Sequence, residues 1–169
     1  MMKELNGKIE VSIGLEALWQ AWAKDMIVTI PKVMPNVVKD VKVIEGDGGV
    51  GSILLFTFFS DMTPISSKKE TITDLDENSH EFGYQVLEGG YLENGYSCYK
   101  INFKLSAIEE HKTLINVKIT YDCKSDIEES TPPLKTLEST LFYIGCLETY
   151  LLNCALLQDN QGCGINYEG

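Results

Sequence analysis

Glu45-Gly46-Asp47-Gly48-Gly49-Val50-Gly51 is the stretch on which the fold turns. Its glycine density is that of a phosphate-cradling loop, but its flanks argue otherwise. Val41-Lys42-Val43-Ile44 precedes it and Ser52-Ile53-Leu54-Leu55-Phe56-Thr57-Phe58-Phe59 follows, and both read as strands. A nucleotide-binding glycine loop opens a helix, whose N-terminal amides and dipole hold the phosphate. A Walker loop also needs a Gly-Lys-Ser/Thr ending, whereas Gly51 is followed by Ser52 and Ile53. The stretch reads as a tight hairpin whose glycines take positive φ.

Outward from this hairpin, a strand-rich middle runs from about Lys39 to Cys123. Tyr99, Ile101, Phe103 and Leu105 alternate with Lys100, Asn102 and Lys104. Ile115, Val117, Ile119 and Tyr121 alternate with Asn116, Lys118 and Thr120. Period-2 patterns with one wet face indicate an antiparallel sheet. Phe82, Tyr84 and Val86 mark another strand before a turn at Gly89-Gly90, and residues 3–12 form a first strand. Two short helices follow that strand. One carries Leu15, Leu18, Trp19 and Trp22 on one face; the other spans Met26 to Val33 and stops by Pro35.

The last element is a long helix. Ser130 or Thr131 can cap it, Pro132 and Pro133 suit its first turn, and no breaker but Gly145 occurs up to Leu157. Thr136, Thr140, Tyr143, Leu147, Leu151 and Cys154 form one stripe along it. The polar residues 158–169 are expected to be a disordered tail after a single domain of residues 1–157. The predicted fold is α+β: a seven-stranded curved antiparallel sheet around a long C-terminal helix, with two short helices and an internal cavity.

Composition narrows the function. A formal charge of −11 and the lack of any arginine argue against nucleic-acid binding and bidentate anion clamps. No run approaches the roughly 20 apolar residues of a membrane span. The odd set Cys98, Cys123, Cys146, Cys154 and Cys163, without a signal segment, suits a reducing interior. No Cys/His spacing suggests zinc, so no metal and no cofactor are expected. His80 and His111 fall at turns and read as surface residues. The expectation is a cytoplasmic protein, with the nucleus as a further location, present as a monomer or weak dimer.

The element order and the glycine hairpin resemble the birch-pollen-allergen, or pathogenesis-related class 10, family of plants. Leu15-Glu-Ala-Leu-Trp19, Pro31-Lys-Val-Met-Pro35, Leu87-Glu-Gly-Gly-Tyr-Leu92, Thr113-Leu-Ile-Asn-Val-Lys-Ile119 and Ser125-Asp-Ile-Glu-Glu129 resemble its cytokinin-specific, phytohormone-binding branch in legumes. The resemblance implies a helix-grip fold and reversible binding of a small plant hormone, a cytokinin or gibberellin, in the cavity. In that branch a Gln and a Glu two apart on one strand, and a Thr and Tyr on the last helix, contact the hormone. Here Glu70, Thr140 and Tyr143 keep three of these positions, and Lys68 stands at the Gln position. Trp22 and Met26 occupy pocket positions where the branch has smaller side chains.

Period 2 places Lys68, Glu70 and Ile72 on one strand face, inward if Ile72 is inward; the alternative is a solvated Lys/Glu pair at a sheet edge. Thr140 and Tyr143 share a helix face with Leu147, where core packing competes with a ligand role. If Lys68 faces the cavity free of Glu70, it should favour an acidic hormone. If it is tied to Glu70, both groups are partly consumed and polar selectivity should weaken. The first case is the expectation. The resemblance to the wider family, some of whose members catalyse condensation or isomerisation with a lysine, an acid and a tyrosine in the cavity, implies the competing function of an enzyme, which would use Lys68, Glu70 and Tyr143.

Overall fold

The computed structural model describes residues 2–61, 65–89, 92, 95–123 and 131–164. Among them, seven strands form one antiparallel sheet: β1 (Lys3–Val11), β2 (Val38–Glu45), β3 (Ile53–Phe58), β4 (Ser67–Asp76), β5 (Glu81–Glu88), β6 (Tyr96–Glu109) and β7 (Lys112–Cys123). The order across the sheet is β1-β7-β6-β5-β4-β3-β2. Helices α1 (Leu15–Trp19) and α2 (Met26–Val33) follow β1, and α3 (Thr131–Gly164) closes the chain. This is the helix-grip architecture that the sequence predicts.

Alternation decides which face is apolar. Ile115, Val117, Ile119, Ile101, Phe103 and Leu105 are buried on the concave side, while Asn116, Lys118 and Lys104 are exposed on the convex side. Register shifts in β2, β4 and β6 mark bulges, which bend strands and increase twist. The sheet curves around α3, whose Ile144 and Leu147 are fully buried. Two further contacts hold the helix in place. Gly7 lets Leu137 close in, since a Cβ there would stand 2.8 Å from Leu137 Cδ1. Near the other end, the Ser12 amide donates to Glu148 Oε2 at 2.6 Å.

Four details differ from the sequence expectation. Helix α1 passes at Gln20 into a π-helical turn, Gln20–Lys24, closed by the Asp25 amide donating to the Gln20 carbonyl at 2.9 Å. The wider turn brings Trp22, Ala23 and Met26 inward together. Helix α3 runs on to Gly164, past Leu157, because the polar residues there include no proline to stop it. By length and composition Pro133–Gln158 would suffice to cross a membrane, contrary to the expectation that no run does. In the structure its buried side chains pack on the sheet, and Phe142, Leu152, Leu156 and Leu157 are exposed. His80 is not a free surface residue either. It sits in the β4–β5 turn at φ 54°, its ring edge on Trp19 at 5.2 Å and its Nε2 2.8 Å from Glu16 Oε1. Gly90, the capping candidate Ser130, Ser125–Glu129 and the tail beyond Gly164 lie outside the described residues.

The glycine hairpin joins β2 to β3, as predicted. Gly46, Gly48 and Gly51 take φ of 93°, 97° and 89°. The Gly51 amide donates to the Ile72 carbonyl at 2.8 Å and the Ile72 amide returns a bond to Ser52 at 3.0 Å, so the hairpin is tied to β4. A Cβ at Gly46 would lie 2.4 Å from Ser52 Oγ, whereas one at Gly48 would meet nothing within 4 Å. Gly46→Ala should therefore cost about 2–3 kcal/mol in urea unfolding, and Gly48→Ala about 1 kcal/mol. Equal losses would show that backbone strain alone, without the Ser52 contact, sets the requirement.

Candidate functional site

A cavity of about 360 Å³ lies between the concave sheet face, α2 and α3. Each element contributes one wall. Helix α2 gives Met26 and Ile30, β3 gives Phe56 and Phe58, β5 gives Tyr84, and β6 gives Ile101 and Phe103. Trp22 enters from the π-helical turn, its ring 4.6 Å from Phe103 and 5.0 Å from Phe82. Thr136, Ser139, Thr140 and Tyr143 come from α3. All six residues singled out from the sequence, Trp22, Met26, Lys68, Glu70, Thr140 and Tyr143, line this one space. Mostly apolar walls with a few convergent polar groups are the composition of a small-molecule site.

Strand β4 lies inside the sheet, between β3 and β5, so Lys68 and Glu70 are not a solvated edge pair. Glu70 is 2% exposed and Lys68 26%. Lys68 Nζ lies 2.9 Å from Glu70 Oε2, and 5.0 and 6.0 Å from the ring centres of Phe56 and Tyr84. The expectation of a lysine standing free of Glu70 is thus corrected. A two-residue spacing on one strand puts both side chains on the same face, and a buried carboxylate takes the nearest cation. The contact is a close charge pair without hydrogen-bond alignment, and Oε2 accepts no aligned hydrogen bond. Burial pushes the Glu70 carboxyl above its ordinary value of 4.5, and the charge of Lys68 opposes that rise.

The helix hydroxyls divide into one bound and one open. Thr140 Oγ1 donates to the Thr136 carbonyl at 2.7 Å, so only its acceptor capacity faces the cavity. Thr136 Oγ1 in turn accepts from the Tyr99 hydroxyl at 2.7 Å. The Tyr143 hydroxyl is buried and has no hydrogen-bond partner. Burial drives its phenol well above the ordinary value of 10, so it remains a neutral donor. Tyr84 is shifted the same way, by burial and then by the nearby Glu70 charge.

Sequence reasoning missed Tyr84, Phe56 and Ser139 as wall residues. Tyr84 shares its period-2 face with Phe82 and Val86, but only the register, with Tyr84 opposite Ile72 of β4, places it beside Glu70. Among the described residues no group of His, Cys, Asp and Glu side chains is placed to hold a metal.

The family model of the pathogenesis-related protein Bet v 1 family matches residues 1–154. The chain belongs to that family. Among the relatives of this family member, norbelladine synthase of Narcissus pseudonarcissus is 25% identical, over 93% of this chain and 99% of its own. Major strawberry allergen Fra a 1.04 of Fragaria ananassa is 32% identical, over 80% of this chain and 84% of its own. In shape, norcoclaurine synthase from Thalictrum flavum, solved with dopamine and hydroxybenzaldehyde, gives a TM-score of 0.76 at 23% identity. That match covers 90% of this chain and 88% of the other. The family therefore includes both allergens and synthases on one fold.

Glu70 carries a pH signature. An acid with a raised folded value holds its proton more tightly in the folded chain than in the unfolded one. Its contribution to stability is fully present below about pH 4.5 and is lost as pH rises through the folded value. Glu70→Gln removes that slope. Urea unfolding from about pH 4.5 to neutrality should show the wild type losing stability relative to the variant. Parallel profiles would mean that Lys68 compensates the carboxylate fully.

Proposed function

We propose that this protein reversibly binds a small plant hormone in the cavity, as a non-catalytic carrier or buffer. The observation that carries the reading is the buried Tyr143 hydroxyl, a neutral donor in an apolar-walled cavity with no protein acceptor. An unpaired buried hydroxyl costs about 1–3 kcal/mol, which a ligand acceptor would recover. The sequence motifs of the cytokinin-specific branch support the hormone class. The free thiols of Cys98, Cys146 and Cys154 support a reducing, cytoplasmic setting.

The Lys68–Glu70 pair changes the expected preference. A paired lysine offers no net charge to a ligand carboxylate, so neutral hormones of the cytokinin type suit the cavity best. An acid such as a gibberellin frees Lys68 only if Glu70 takes up a proton, which its raised value favours. Gibberellin affinity should then fall as pH rises, with proton uptake visible as a buffer-dependent heat, while cytokinin affinity stays level. Identical pH profiles for both classes would show that the pair does not take part.

Calorimetry against cytokinins, gibberellins, auxin and abscisic acid tests the carrier reading. At least one should bind with Kd below about 100 μM, or about −5.5 kcal/mol. Tyr143→Phe should leave the free protein as stable or more stable, yet weaken the hormone about tenfold, since only the complex uses the hydroxyl. Loss of stability with unchanged affinity would make Tyr143 a packing residue.

A second reading, an enzyme of plant secondary metabolism, is favoured by the convergence of Lys68, Glu70 and Tyr143 on one cavity and by the named synthases among its relatives. Turnover of an amine and aldehyde pair, abolished by Lys68→Ala, would establish it over the carrier.

A further inference from the structure

Helix α3 is covered on one side only. Among the described residues Leu151 is its last side chain packed on the core, and from Leu152 to Gln158 all but Cys154 are exposed. The outer face is apolar over a longer reach. Phe142, Gly145, Thr149, Leu152 and Leu156 recur at alternate spacings of three and four, which is the seam of a helix pair. Phe142 is 65% exposed, Leu152 41% and Leu156 60%.

Gly145 is an independent observation. A Cβ there would meet nothing within 4 Å, so the chain's own packing does not require glycine at mid-helix. Glycine weakens a helix interior, and the close approach of another backbone is a use for the missing side chain. Beside this notch, Val33 and Pro35 form a groove with Phe142, Cys146 and Thr149.

We propose that α3 pairs antiparallel with α3 of a second copy of this chain, about a two-fold axis at Thr149. Reversal about Thr149 sets Phe142 of one copy against Leu156 of the other. Leu152 of each falls at the notch of Gly145 and Cys146, and Thr149 meets its own equivalent. Each contact is made twice, as an isologous interface requires. Thr140 and Tyr143 line the cavity on the inner side of the helix, so the pairing is independent of what the cavity binds.

Charge selects the occupant. The chain carries a formal charge of −11, so most faces of two copies repel. Glu148 is the one charged residue from Phe142 to Gln158, and it accepts from the Ser12 amide of its own chain at 2.6 Å. Two acidic copies therefore approach here at least cost. A lipid surface fits less well. Helices that lie on membranes carry Lys and Arg along their polar face, and α3 has only Lys135, near its start. The pairing spans about 22 Å of helix. It covers about 500 Å² on each copy, less than the roughly 800 Å² of a standard interface, so the dimer is weak, with Kd on the order of 10–100 μM.

Sedimentation equilibrium from about 5 to 500 μM should show the wild type passing from monomer to dimer. Leu152→Glu puts a charge in the seam and should weaken the dimer at least about tenfold. Gly145→Gln should weaken it as much, yet leave the dilute monomer as stable or more stable, since glutamine suits a helix better. A glycine needed only by the monomer would instead cost stability and leave association unchanged. Under mild oxidation Thr149→Cys should give a disulfide that peptide mapping places between residue 149 of two copies. A self-linked Phe142→Cys in its place overturns the antiparallel register. A monomer at every concentration, or a dimer that survives both Leu152→Glu and Gly145→Gln, overturns the pairing. So does a monomer that floats with phosphatidylcholine vesicles unless Leu152 is replaced by Glu, which makes the face a lipid contact.

Discussion

The concave face of the sheet sets the terms for the rest of the molecule. Seven strands expose a continuous apolar surface on that side, and bulges in β2, β4 and β6 bend it. Such a surface has to be covered, and one helix is the principal cover. Helix α3 is fixed by Leu137 against Gly7, by Ile144 and Leu147 in the core, and by Glu148 at Ser12. A straight helix cannot follow the whole curve of a bent sheet. The remaining gap, walled on one side by α2, is the cavity. The cavity therefore follows from the geometry of covering a curved sheet with a cylinder.

A gap of that kind makes its polar groups expensive and consequential. Glu70 is buried there with Lys68 as its cation, and Tyr143 with no partner. Inside an apolar enclosure, a charge pair is held more tightly and an unpaired hydroxyl is more costly than at the surface. Thr140 lies on the same helix face as Tyr143 but donates to its own backbone, so it is satisfied without a ligand. Two hydroxyls three residues apart thus differ in what they demand of an occupant.

The relatives give this contrast its meaning. Allergens and synthases share the fold with this chain at modest identity, so the fold alone does not select an activity. Selection has to come from the cavity's few polar groups and their protonation. Here those groups are a net-neutral lysine–glutamate pair and two tyrosines held neutral by burial. Three other strand lysines point away: Lys118 and Lys104 are on the convex face, and Lys100 pairs there with Asp74 at 3.4 Å.

By itself, the sequence determined the strand and helix order, the inward faces and the hairpin at Gly46–Gly51, and together with the family resemblance it pointed to six of the side chains that line the cavity. These are local properties: residue period, turn chemistry and shared motifs act within a few positions of the chain. The π-helical turn, the clamp of His80 on Trp19 and the place of Tyr84 beside Glu70 were not legible, because each depends on which segments meet. Only the tertiary structure decided that Lys68 is bound to Glu70 and that Tyr143, unlike Thr140, is left without a partner. Period 2 puts Lys68 and Glu70 on one face, but their pairing follows from the burial of Glu70, and Tyr143 is left open by what packs over its helix face. A sequence states which groups exist, and the packed fold decides which of them water still reaches and which must find partners within the protein or a ligand.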